Sequence, residues 1–399
     1  MGHTDEAIAE FEHALRLHPG LLQARYQLAA SCRNRGDFEG EQRLLAEIAK
    51  QAPDFAEARY NYGLSLQRRE KKAEAVDQLR AAARLDPTSL RYSLALGIAL
   101  ADRDHAEAVQ VLRRAVDLAP SDPETHYNLA VALATGGDEA GAIREFQAAL
   151  QLNPNHATAH RGLGIALMHE DRLKESAEEL KRAASLAPRD AETANNLGMV
   201  LLRLKDIPGA IEALERAVTI NPKLIKAHSN LAQAYQRAGR KEDARAATDR
   251  AAALTAEQRS LGRAMVLVQS ARQRRGSADT SETIRILREA IAAQPAFAEA
   301  HLELGRTLLE SGRDPDGAIR EFREVLNLDP EISEAHYQIG LALLKKGDKT
   351  AAFDEFRVAA SMSPCRVEIM RALGEYRRLL AWDPHDEEAR AALEKARPH

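Results

Sequence analysis

The sequence predicts an all-α chain built of stacked helix–turn–helix hairpins. Three observations carry that prediction. A proline recurs at Pro19, Pro53, Pro87, Pro120, Pro154, Pro188 and Pro222, on a spacing of 34 with one of 33, and again at Pro295, Pro330 and Pro364. Small and apolar residues keep the phase of those prolines through nearly the whole chain. Within each copy they fall at i, i+3 or i+4 and i+7, the stripe of an amphipathic helix, and no stretch alternates as a strand does.

Each element of the repeat has a physical reading, taken in order from the proline. The proline ends one helix or begins the next, because it cannot donate to the helical ladder. Ten residues on comes a small residue, Ala29, Gly63, Gly97, Ala130, Gly164, Gly198, Ala232, Gly305 or Gly340, with an apolar neighbour such as Leu129 or Leu163 just before it. That pair marks a first helix whose axis can approach another closely. Seventeen residues after the proline stand Gly36, Gly137, Gly239, Gly312 and Gly347, suited to the left-handed residue that ends a helix. A second helix follows, with Ala7, Ala75, Ala108, Ala142, Ala210, Ala318 and Ala352 twelve residues before the next proline. Four residues further on comes a bulky partner: Phe11, Leu79, Leu112, Phe146, Leu214, Phe322 or Phe356. One hairpin cannot bury its own stripe, so neighbours must stack. Ser176 and Glu41 depart from the alanine of the second helix, and the copy ending near Ala256 has no proline.

Composition bounds the function. The 399 residues carry a formal charge of −4, with 45 % apolar, 29 % charged and 4 % aromatic residues. Near-neutral charge argues against a chain that seeks nucleic acid as a whole, and the apolar fraction argues against disorder. No run approaches the roughly 18 apolar residues of a membrane span, and the first residues have neither the basic flank nor the apolar core of a signal peptide. The default compartment is then the cytoplasm. Cys32 and Cys365 lie too far apart in sequence to suggest a zinc site or a disulfide framework; Cys32 reads as a small packing residue on its helix.

The phase places four segments: repeats over 1–256, an atypical repeat with an enlarged basic loop over 257–294, repeats over 295–364, and a divergent helical cap over 365–399. The chain begins in mid-repeat, with a second helix and no first. The uncovered face invites two alternatives, self-association or membership of a longer protein. The stretch Arg237–Arg275 holds ten cations against four carboxylates, a local +6. Arg263, Arg272, Arg274 and Arg275 could dock an acidic segment, but charge runs usually mark solvated helix faces, which is the preferred reading.

No catalytic set emerges. His126, His160, His228, His301 and His336 each stand six residues after a repeat proline, so a recurring packing role accounts for them better than chemistry does. His156 and His160 share a helix face without the carboxylate of a zinc enzyme. There is no phosphate-binding glycine loop and no nucleophile elbow. No cofactor and no metal site is expected, and the chain is read as a non-enzyme.

The order Leu-Gly, Gly, Ala, Phe, Pro on a period near 34 resembles the tetratricopeptide repeat family, across nearly the whole chain. The resemblance implies about eleven hairpins wound into a right-handed superhelix whose first helices line a concave groove for peptides or partner proteins. Two rows of residues then fall on that groove. Tyr26, Tyr60, Tyr127 and Tyr337 stand seven residues after the proline, and Asn61, Asn128, Asn196 and Asn230 stand eight after it. Asparagine offers both a donor and an acceptor to a peptide backbone, and tyrosine offers flat apolar contact with a polar tip. The asparagine row is similar to the ladder in the repeat arm of O-linked N-acetylglucosamine transferases, although Gln27, Ala95, Gly162, Glu303 and Gln338 interrupt it. The alternative for the asparagines is bonding between hairpins. The basic set by which related proteins grip chaperone C-termini is not assembled. The function expected is a non-catalytic scaffold binding a protein or peptide; the alternative is the substrate-recruiting arm of a larger enzyme. The Ala/Arg/Leu-rich usage fits a bacterial source.

Overall fold

The computed structural model describes residues 2–34, 36–275, 280–312 and 314–362. Among them lie twenty helices and no strand. They are α1 (Gly2–Leu17), α2 (Leu22–Asn34), α3 (Phe38–Gln51), α4 (Ala56–Arg68), α5 (Lys72–Leu85), α6 (Leu90–Leu100), α7 (His105–Leu118), α8 (Pro123–Thr135), α9 (Glu139–Leu152) and α10 (Ala157–His169). The series continues with α11 (Leu173–Leu186), α12 (Ala191–Arg203), α13 (Ile207–Ile220), α14 (Ile225–Arg237), α15 (Lys241–Gln273), α16 (Thr280–Ala293), α17 (Ala298–Ser311), α18 (Pro315–Leu328), α19 (Ser333–Lys346) and α20 (Lys349–Met362).

The chain divides into two compact units. One spans 42–255 and stacks the hairpins α4–α5, α6–α7, α8–α9, α10–α11 and α12–α13, followed by α14 and the first half of α15. The other comprises 1–41 and 256–399; within it α1 packs on α2, and the hairpins α17–α18 and α19–α20 stack. The segment 365–399, expected to form a cap, lies outside the described residues.

Inside a hairpin the small residue of the first helix receives the bulky residue of the second. Ala142, Phe146 and Ala149 on α9 are fully buried, as are Ala318, Phe322 and Val325 on α18. Each such aromatic or leucine contributes about 1.5–3 kcal/mol relative to exposure. Turn chemistry begins the second helices: Asp138, Asp206 and Asp314 each accept a hydrogen bond from the third backbone N–H beyond them, at 2.8, 3.1 and 2.7 Å. The glycine between the helices is left-handed, as in Gly137 at φ +86°. Three copies without that glycine adopt the same conformation with other residues, Glu70, Asp171 and Lys205, at φ of 57°, 58° and 65°.

The proline-less copy shows what the proline does. Where Ala256 replaces it, no break occurs, and α15 runs on for 33 residues as the second helix of one repeat and the first of the next. Ala251 and Leu254 are buried in its first half, and Ala264, Val268 and Ala271 in its second. Cys32 on α2 is fully buried, as its reading as a packing residue expects; Cys365 lies outside the described residues.

Candidate functional site

First helices of successive hairpins touch in the unit 42–255: α6 with α8, α8 with α10, α10 with α12, and α12 with α14. Residues of equal phase therefore form rows across the stack. Asn61 on α4 and Asn128 on α8 each turn the side-chain amide back onto their own helix, donating to Glu57 O at 3.1 Å and Glu124 O at 2.7 Å. Asn196 and Asn230 behave differently. Between them stands Asn195, fully buried, which donates to Asn196 Oδ1 at 3.5 Å and accepts from Asn230 Nδ2 at 2.9 Å. Asn195 thus ties α12 to α14. It sits one position before the asparagine row, where other copies hold tyrosine.

The gap in the row at Gly162 has a packing cause. A Cβ there would lie 2.4 Å from Phe146 Cζ, so the ring of the preceding hairpin occupies the place of a side chain. Three residues beyond the amide row runs a second row: Leu64, Ile98, Val131, Ile165 and Met199. Residues at i and i+3 share a helix face. Four of the five are half-buried, and Ile98 is 52 % exposed. The face therefore combines amides with an apolar strip.

The tyrosine row is engaged in packing. Tyr60 lies with its ring centroid 5.1 Å from that of Tyr92, and the Arg91 guanidinium sits 4.7 Å from the centre of Tyr60. Tyr127 contacts Phe146 at 6.0 Å and His156 at 4.9 Å. In the other unit Tyr337 is buried against Phe356 at 5.5 Å, and Tyr26 on α2 is half-buried.

The arginines near 263–275 are largely matched by carboxylates. Arg263 pairs with Glu289. Arg272 reaches Glu299 at 2.6 Å and Glu303 at 3.0 Å, and Arg275 reaches Glu303 at 2.5 Å. Arg306 adds a third contact to Glu303 at 3.1 Å and pairs with Glu334 at 2.8 Å. Glu303 is buried and occupies the asparagine row of α17, which explains that interruption: the row there holds the centre of an ion-pair network. Arg274 lies exposed; the hydrogen bonds from Arg285 are the chief cause that holds the Glu282 carboxyl below its usual range, and the charge of Arg274 adds to it.

The recurring histidines close their hairpins. His126, His160 and His301 each place Nε2 3.0 Å from the carbonyl of their own repeat proline, Pro120, Pro154 and Pro295. Their Nδ1 atoms lie 2.7, 2.6 and 2.7 Å from Glu145, Glu179 and Glu321 on the second helix. His336 pairs with Glu355 at 2.6 Å, and His228 keeps only the proline contact, at 3.0 Å. Arg59 does the same work in its copy, with Pro53 O and Gln78. The hydrogen bond that His301 donates to Glu321 is the chief reason that the histidine holds its proton above the ordinary histidine range. The missed signal in the sequence was the carboxylate 19 or 20 residues downstream of four of the five histidines, Glu145, Glu179, Glu321 and Glu355.

Among the described residues no group of three or more His, Cys, Asp or Glu side chains could hold a metal ion, and no helix is long and apolar enough to cross a membrane. A family model described as a tetratricopeptide repeat matches residues 36–90, 63–123, 94–155, 127–191 and 309–364. A second, described as a TPR repeat, matches 200–239, and a Myxococcota tetratricopeptide repeat protein family matches 259–334. A TPR repeat-containing protein of Pseudomonas aeruginosa is 39 % identical over 104 residues, 26 % of this chain; the chain spans only 40 % of that relative's length. Similar solved structures include YrrB, described as a TPR protein with an unusual peptide-binding site, at 20 % identity and TM-score 0.37, covering 46 % of this chain and 95 % of that one. MamA of Desulfovibrio magneticus RS-1 is 27 % identical with TM-score 0.38, covering 41 % of this chain and 95 % of its own.

Proposed function

The chain belongs to the tetratricopeptide repeat family of protein-interaction scaffolds, and on that premise we propose that it is a non-catalytic adaptor whose first-helix face over residues 42–255 binds an extended peptide of a partner protein. The observation that carries this reading is the pair of parallel rows. Asn128, Asn196 and Asn230 offer amides, and Ile98, Val131, Ile165 and Met199 offer an apolar strip beside them. An extended peptide presents backbone donors and acceptors on its edges and side chains on alternate faces, so it can use both rows together.

The test is binding of an array of end-blocked peptides to the full chain and to a variant with Asn128→Ala and Asn196→Ala. Retained melting temperature with at least tenfold weaker binding supports the reading. Undiminished binding by the variant removes the asparagines from it.

A further inference from the structure

Between α11, α12 and α14 lies an open cleft of about 520 Å³, lined by Asp171, Leu173, Met199, Leu202, Arg203, Lys205, Asn230, Gln233 and Arg237. It adjoins the face just described, since Met199 ends the apolar row and Asn230 the amide row. Its charge is unbalanced: Arg203, Lys205 and Arg237 stand against the single carboxylate of Asp171.

The two arginines are fixed by the fold. They stand 34 residues apart, at the ends of α12 and α14. Each donates to a carbonyl in the last turn of the preceding first helix: Arg203 Nη1 to Met168 O at 2.8 Å, and Arg237 Nη1 to Leu202 O at 2.9 Å. Each carbonyl also accepts a backbone N–H of the turn, from Asp171 N at 3.3 Å onto Met168 O and from Lys205 N at 3.2 Å onto Leu202 O, so the arginine adds a second bond to the helix end, and that bond orients its guanidinium group. Arg203 spends one further donor on Asp171, at 2.8 Å. A guanidinium has five N–H donors, so most of each fork remains for a ligand. Lys205 makes no ion pair among the described residues, and its left-handed backbone, φ 65°, places it at the turn bordering the cleft. Oriented guanidinium groups are well suited to a carboxylate, while Leu173, Met199 and Leu202 would cover the methylenes behind it.

We infer that this cleft receives an aspartate or glutamate side chain of the bound peptide, so that the partner of this chain is an acidic segment. The inference rests on the peptide-binding reading of the neighbouring face.

The experiment uses two matched sets of fluorescein-labelled dodecapeptides, acetylated and amidated at their ends. Both carry the same apolar residues, but one has Asp and Glu where the other has Asn and Gln. Anisotropy against the full chain should show the acidic set binding at least tenfold more tightly. Arg237→Gln should abolish that advantage, Lys205→Asn should cut it about threefold, and Asp171→Asn should enlarge it. Lys205→Asn keeps the fold, because asparagine tolerates the left-handed conformation and no ion pair is lost. Equal binding of the two sets, or an advantage untouched by all three variants, overturns the cleft but leaves the groove standing. Should a third set, the same peptides with a free C-terminal carboxylate, be the one that binds, the cleft is also overturned, since the occupant is then a chain end. Binding by neither set overturns both readings.

Discussion

His301 Nδ1 lies 2.7 Å from a carboxylate oxygen of Glu321, while its Nε2 lies 3.0 Å from the carbonyl of Pro295. An ionised carboxylate and a carbonyl are both acceptors only, so a ring that bonds both must donate from both nitrogens and carry a proton on each. The histidine is buried, which opposes its charge, yet the carboxylate outweighs burial and raises its pKa above 6.5.

The sign of the pH dependence follows. A group whose folded pKa is raised contributes stability that is fully present below its unfolded pKa, near 6.5. That contribution is lost as pH rises through the folded value. Glu321→Gln should therefore cost about 1 kcal/mol at pH 6, and the difference from the parent chain should close by pH 9. Hydrogen exchange of α17 and α18 at the two pH values measures it; a gap that widens with pH would refute the assignment.

Glu70 and Lys205 occupy left-handed backbone at φ 57° and 65° at turns where Gly137 takes φ +86°. A Cβ there crowds the following carbonyl at a cost of roughly 1–2 kcal/mol, partly offset because glycine is freer in the unfolded chain. Glu70→Gly should raise stability by about 0.5–1 kcal/mol, and Gly137→Ala should lower it by a similar amount. Opposite shifts in amide hydrogen exchange are the expected result, slower in α4 and α5 for Glu70→Gly and faster in α8 and α9 for Gly137→Ala. A loss for Glu70→Gly would show that its side chain holds the turn.

How far the sequence could be read depended on whether a feature repeats. The proline period located the hairpins, and the alanine and bulky residue of most second helices, such as Ala142 with Phe146 and Ala210 with Leu214, proved to be their buried centre. Ala256 shows the limit: a missing proline reads as a weak copy, whereas physically it removes the only break in the ladder, so two helices became one. Pairings were hidden because they join two rows. The histidine row was visible, but its glutamates lie on a different helix and draw meaning only from the fold. Asn195 escaped notice because it is one residue out of phase with the row it supports. Glu303 read as an interruption, since the three arginines around it come from the far end of α15, its adjoining turn and α17 itself. Arg203 and Arg237 were in phase and could have been paired; Arg237 was counted only with the basic stretch that follows it and Arg203 was passed over, because a charge at the end of a helix usually faces solvent.

Ser65 on α4 is 2 % exposed, and its hydroxyl has no hydrogen-bond partner. Equivalent positions in other copies hold Ala132, Ala166, Ala234 and Ala342, all buried. A buried hydroxyl without a partner costs about 1–3 kcal/mol. Ser65→Ala should then stabilise the α4–α5 hairpin by about 1 kcal/mol, read as slower hydrogen exchange of its amides. Ser176 is the contrasting case, because its hydroxyl donates to Gly164 O at 2.6 Å. Ser176→Ala should be neutral or destabilising, and a gain from it equal to that of Ser65→Ala would sever the link between partner and cost.

The contact of Gly198 with Leu214 sets how closely α12 and α13 approach. A Cβ on Gly198 would lie 2.4 Å from Leu214 Cγ and 2.8 Å from its Cδ2, and Leu214 is fully buried. The clash is with the branch point of the leucine, so a rotation of its end cannot relieve it. Gly198→Ala should cost about 1–3 kcal/mol through overpacking. Leu214→Ala alone should cost about 2–5 kcal/mol, because it leaves a cavity at the hairpin contact. In the double variant the new methyl occupies part of that cavity, and the residue it would have struck is gone. The double variant should therefore lose at least about 1 kcal/mol less than the two single losses together, a coupling within the range found for touching residues. Stack stability is a sum of local terms, so the readout is hydrogen exchange of α12 and α13 amides rather than a single global midpoint. Strict additivity would mean that the hairpin yields at this contact, and that the glycine is not what sets the spacing of the two helices.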